Sequence, residues 1–169
     1  MKKTTHRYRV LAHTADGKFR AFGDSIEEAF ANAALAMVSL MWDWEKVARR
    51  IVRDVDIRGR DLDQLLYKYL EEALYLFDSR KFMLAAVEDL RIDNPVSFAP
   101  SGPPDDTRRA PAAVPSEAPG EFRLTARFVG DDRPELYEFF GDVKAVTYNE
   151  MKIGCCDGIS WVVQVVVDK

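Results

Sequence analysis

Ser25-Ile-Glu-Glu-Ala-Phe-Ala-Asn-Ala-Ala-Leu-Ala-Met-Val-Ser-Leu-Met41 carries both a start signal and a face. Ser25 and Glu28 make the S-x-x-E pattern, in which the hydroxyl caps the first helical turn and the carboxylate reaches back. Ile26, Ala29, Phe30, Ala33, Ala34, Met37, Leu40 and Met41 recur at three- and four-residue spacing, the apolar stripe of an amphipathic helix. Such a stripe must be covered by another layer.

Upstream, Tyr8 to Ala12 and Lys18 to Phe22 read as strands, with Asp16-Gly17 as the turn between them. Downstream, Val47 to Arg58 alternates as a strand. Asp61 then caps a second helix running to about Phe77, striped by Leu62, Leu65, Leu66, Tyr69, Leu70, Ala73, Leu74 and Phe77. Phe82 to Ile92, Phe122 to Val129, Asp142 to Ile153 and Ile159 to Val167 supply further strands. Asp131 to Phe140 holds a turn or short helix, with Pro134 near its start. This order predicts an α+β domain: a two-layer sandwich of two helices on a mixed, mainly antiparallel sheet of about seven strands.

Seven of the eight prolines fall between Asn94 and Gly120, among Ala, Ser and Gly. A stretch so poor in large apolar residues cannot offset its ordering entropy. It is expected to be a disordered loop at 94–120 within one domain spanning 1–169, because the segment after it is too short to fold alone.

No window approaches the ~20 apolar residues that span a bilayer. Lys2, Lys3, His6, Arg7 and Arg9 precede no apolar run, so a secretory signal is not expected. The formal net charge of −4, with acids and bases mixed, argues against tight binding of nucleic acid. The two cysteines, Cys155 and Cys156, sit in the turn Gly154-Cys-Cys-Asp-Gly158 and read as loop thiols of a reducing compartment. There is no GxSxG, no zinc spacing and no P-loop, and the only histidines are His6 and His13.

Four chemical readings remain. Asp16 lies in a turn and Asp168 follows the valine strand; if the ends of the chain meet, these and the C-terminus form hard oxygen ligands suited to Ca²⁺ or Mg²⁺ rather than zinc. The same carboxylates with His13 as base would make a stand-alone metal-dependent phosphoester hydrolase. Trp42 and Trp44 are either core edge or the anchors of a chaperone-like scaffold. Lys144, in a segment where Asp142, Lys144, Val146 and Tyr148 would share a strand face, is a possible charged handle for a partner. Asp131-Asp132-Arg133 and Glu71-Glu72 read as solvated charge.

His13-Thr-Ala-Asp16, the Ser25 to Ala34 helix start, Asp61-Leu-Asp-Gln-Leu-Leu-Tyr67, Glu72-Ala-Leu-Tyr-Leu-Phe-Asp78, Val143-Lys-Ala-Val-Thr-Tyr148 and the terminal Val-Val-Val-Asp168 together resemble the archease family, block by block and in order. The resemblance implies a cytoplasmic, non-enzymatic activator of the tRNA-splicing RNA ligase, a GTP- and metal-dependent enzyme whose guanylylation and repeated turnover archeases promote. It also implies a cation site, typically calcium, with Mg²⁺ or Mn²⁺ as other candidates. The site would use Asp16, Asp168 and the Lys169 main chain or C-terminal carboxylate, with Lys144 and His13 as activation residues and no catalytic residue. Two positions depart from the family pattern. Asn149 stands where a histidine often follows Thr-Tyr, and Lys18 stands where a small or apolar residue is usual.

Overall fold

A computed structural model describes residues 7–12, 16–93, 121–156 and 160–169. The strands are β1 (Tyr8–Leu11), β2 (Gly17–Gly23), β3 (Ile51–Gly59), β4 (Met83–Asp93), β5 (Phe122–Asp131), β6 (Ala145–Cys156) and β7 (Ser160–Asp168). The helices are α1 (Ile26–Val38) and α2 (Leu62–Arg80), with 3₁₀ turns at Trp44–Lys46 and Pro134–Leu136. The α+β class, the two helices and the seven strands match the expectation from sequence. The 94–120 loop, His13 and residues 157–158 lie outside the described residues, while Gly154, Cys155 and Cys156, expected in a turn, continue strand β6.

The seven strands are divided between two sheets, ordered β1-β2-β7-β6 and β3-β5-β4, and every pairing within them is antiparallel. α1 packs on β2 and β7 of the first sheet and on β4 of the second; α2 packs on β6 of the first and on β3 and β5 of the second. Each helix therefore touches both sheets. This explains why α1 is buried beyond its predicted stripe, at Asn32, Leu35, Ala36 and Val38 as well. Asn32 is accommodated because its side-chain amide donates to the Phe22 carbonyl at 2.7 Å.

Both helix starts are capped as their sequences require. The Glu28 amide donates to Ser25 Oγ at 3.1 Å, and Glu28 Oε2 accepts from the Asp24 amide at 2.8 Å. Asp61 Oδ1 accepts from the Gln64 amide at 2.7 Å. α2 runs past Phe77 and stops at Lys81: its amide donates to the Phe77 carbonyl, and its φ of 56° turns the following Phe82 amide back to the Leu76 carbonyl.

Two strands start later than their alternation suggests. β3 begins at Ile51 because amides before it are bonded elsewhere, that of Val47 to the Trp44 carbonyl and that of Ala48 to the Tyr137 hydroxyl. β6 begins at Ala145, so Asp142 and Lys144 precede the strand. The expected shared face breaks there: Asp142 and Lys144 are exposed while Val143 and Val146 are buried.

Candidate functional site

β7 lies between β2 and β6, and its register decides what meets at its end. Gly17 pairs with Val167 in the β2–β7 ladder, and Ala145 pairs with Asp168 in the β6–β7 ladder. In an antiparallel pair the next residues outward are opposite one another. Asp16 therefore leads into β2 beside Asp168. On the other side the Lys144 amide donates to the Asp168 carbonyl at 2.8 Å. Of the residues singled out from sequence, Asp16, Asp168, Lys169 and Lys144 thus collect at one end of one sheet.

Asp16 is half-buried; Lys144, Asp168 and Lys169 are exposed. A Cβ at position 17 would lie 2.8 Å from Leu40 Cδ1, 2.9 Å from Val167 Cγ2 and 3.3 Å from Lys169 Cδ, so a larger residue there would have to displace these side chains. The chain leaving α1 and the aliphatic stem of Lys169 both close over the strand end. Across from them, Gly141 sits against the Leu40 carbonyl.

Lys18, the departure nearest this end, has its ammonium 2.8 Å from Glu150 Oε2. Glu150 belongs to a wide bulge: residues 148–151 of β6 stand opposite Val165 alone. Its φ of 52° is the left-handed turn that the bulge requires. Arg20 Nε donates to Gln164 Oε1 at 2.9 Å, and Gln164 Nε2 donates to the Glu150 carbonyl at 2.8 Å. Asn149 is exposed on the same bulge, its backbone N–H donating to Thr147 Oγ1 at 3.3 Å.

The donors at the β7 end are two carboxylates and main-chain oxygens. Among the described residues there is no group of three or more His, Cys, Asp and Glu side chains placed to hold a metal. So sparse an all-oxygen set fits only a hard divalent cation that keeps most of its water.

The tryptophans take the core and edge alternative, and the solvated-charge readings of Asp131 and Glu72 are corrected. Trp42 is core: it is 1 % exposed and its indole N–H donates to the Leu84 carbonyl at 3.1 Å. Trp44 is half-buried; its N–H donates to the Tyr8 hydroxyl at 2.9 Å, and the Arg7 guanidinium lies 5.5 Å from its ring centre. Asp131 is not solvated charge but 1 % exposed, accepting from the Tyr137 hydroxyl at 2.7 Å and the Asp132 amide at 2.9 Å. Glu72 is half-buried, and burial raises its carboxyl above the ordinary range. Two features were not anticipated: the exposed side chains of 136–140, and the stacking of Tyr148 on Tyr67 at 4.4 Å. The Phe139-Phe140 pair after Pro134 was the sequence signal for the first. The second depends on the bulge and had none.

The sequence profile of the Archease protein family (MTH1598/TM1083) matches residues 8–168. The chain is 37 % identical to protein archease of Methanosarcina mazei, over 96 % of this chain and 95 % of that protein. It is 32 % identical to protein archease of Pyrococcus abyssi, over 96 % and 98 %. The solution structure of Methanobacterium thermoautotrophicum protein 1598 superposes with a TM-score of 0.72 at 29 % identity, covering 96 % of this chain and 99 % of that one. A Thermotoga maritima crystal structure described as an archease and possible chaperone shares the fold at a TM-score of 0.52 and 16 % identity, over 94 % of both chains. The chain belongs to the archease family.

Proposed function

We propose that this protein is a cytoplasmic activator of the tRNA-splicing RNA ligase, acting through the β7 end rather than by chemistry of its own. The observation that supports this reading is the register that sets Asp16 beside Asp168, with the Lys144 amide on the Asp168 carbonyl. Two carboxylates, a main chain and a lysine gathered on an exposed strand end make a small charged tip, able to enter a narrow site on another protein.

Asp16, Asp168 and the main chain of Lys169 would hold a divalent cation, calcium before magnesium or manganese, because every donor is a hard oxygen. Bound there, the ion would supply positive charge to phosphate groups of a nucleotide. The protein's own part is to hold two carboxylates at fixed spacing and to present Lys144 beside them. The stem of Lys169 lies beside Gly17 at that end.

The test is transfer of labelled GTP to the ligase, followed over several turnovers with substoichiometric amounts of this protein. Stimulation that continues past one ligase equivalent per activator is the expected result. A cognate ligase whose guanylylation and turnover ignore the protein would refute the proposal.

A further inference from the structure

The chain between β5 and β6 carries an apolar surface that the charged tip does not use. Leu136, Phe139 and Phe140 are 58 %, 41 % and 59 % exposed. Scattered exposed apolar residues are ordinary, whereas a cluster with a polar rim marks a contact surface.

This cluster is held rigidly. Phe139 bridges to Trp42, its ring edge-on to Trp42 at 6.0 Å and 5.7 Å from the ring of Phe77. The Phe140 amide donates to the Met41 carbonyl at 2.8 Å. Upstream, the Tyr137 hydroxyl donates to buried Asp131 and accepts from the Ala48 amide at 3.0 Å. Burying a carboxylate costs stability unless it is fully hydrogen-bonded. Here the buried acid fastens a segment whose apolar side chains face water. Side chains already fixed lose little entropy when a partner covers them.

Phe140 and Asp43 line two adjoining depressions of about 300 and 280 Å³; Leu136 lines the first and Trp44 the second. Among the described residues the rim carries more acid than base: Asp43, Glu45 and Glu138 line the depressions, against Lys46, 3.8 Å from Asp43, and Arg7, whose guanidinium lies over Trp44. The surface also runs into the tip. Gly141, next to Phe140, packs on the Leu40 carbonyl, and Lys144 follows with its bond to Asp168.

We infer that this shelf is the docking surface for the protein partner, taking a segment that presents an apolar side chain flanked by lysine or arginine. The inference rests on the ligase reading above and assigns the shelf to affinity and the carboxylate tip to activation. An apolar centre supplies binding energy, and complementary charge speeds association.

The test measures binding of the full-length protein to the ligase, alongside guanylylation. Leu136→Ala with Phe140→Ala should weaken binding by about tenfold or more, leave thermal unfolding unchanged, and recover full stimulation at saturating concentration. Glu45→Gln with Glu138→Gln should slow association and flatten its salt dependence. Wild-type affinity in the apolar double variant overturns the shelf and leaves the ligase reading intact. A ligase that binds neither the wild type nor the variants overturns both. A wild-type dimer that the apolar variant converts to monomer assigns the shelf to a second copy of this chain and overturns the inference.

Discussion

Gly17 and Val167 face each other in the β2–β7 ladder, and that pairing sets the geometry of the charged tip. One step outward it leaves Asp16 beside Asp168, with the Asp168 carbonyl tied to the Lys144 amide at 2.8 Å. The acids stand at the end of the sheet and carry none of the core.

Asp16→Asn and Asp168→Asn are therefore expected to fold with stabilities within about 0.5 kcal/mol of wild type, the range for surface substitutions. Calcium should raise the melting temperature of the wild type, since a ligand bound only by the folded state stabilises it. Chelator should reverse the shift, and neither variant should show it. Differential scanning fluorimetry decides. An equal calcium shift in both variants would place the ion elsewhere.

Tyr137→Phe removes the hydroxyl that bridges buried Asp131 and the Ala48 amide. A buried carboxylate that loses such a partner costs about 1–3 kcal/mol. Urea unfolding should show a loss in that range, with weaker ligase binding as the 136–140 segment loosens. Unchanged stability would show that Asp132 and Arg133 satisfy Asp131 without the phenol.

Glu72 supplies a pH test. Burial raises its carboxyl above the ordinary value of 4.5, so the folded chain binds more protons than the unfolded chain just above that pH. Stability then falls as pH rises from 4.5 through the folded value and stays lower beyond it. Glu72→Gln should raise the melting temperature near neutral pH and have little effect well below 4.5. A variant less stable than wild type at neutral pH would mean that the carboxylate makes a bond worth more than its burial costs.

The helices were legible because their information is local. Ser25 and Glu28 lie three residues apart, as do Asp61 and Gln64, and the apolar stripes follow at helical spacing. The strands were legible as alternation, but their division into two sheets was not. Nothing near Gly17 specifies Val167; that pairing is selected by burial of both strands against α1. Asp131 was misread for the same reason. Its neighbours Asp132 and Arg133 suggest solvated charge, while Tyr137, which donates to it, comes from the following turn, and Met83, its ladder partner, from another strand. The bulge at 148–151 left no trace in the alternation that extends β6. Asp16, Asp168 and Lys144 stand out by their places at element ends and within motif blocks, and their meeting in space follows from strand register.

The most direct test is multiple-turnover guanylylation of a cognate ligase with wild-type protein, Asp168→Asn and the Leu136→Ala, Phe140→Ala pair, each at substoichiometric and saturating levels. The prediction is stimulation by wild type, none by Asp168→Asn at any level despite undiminished binding, and stimulation by the apolar pair only at saturation. Full stimulation by Asp168→Asn would contradict a role for the carboxylate tip in activation.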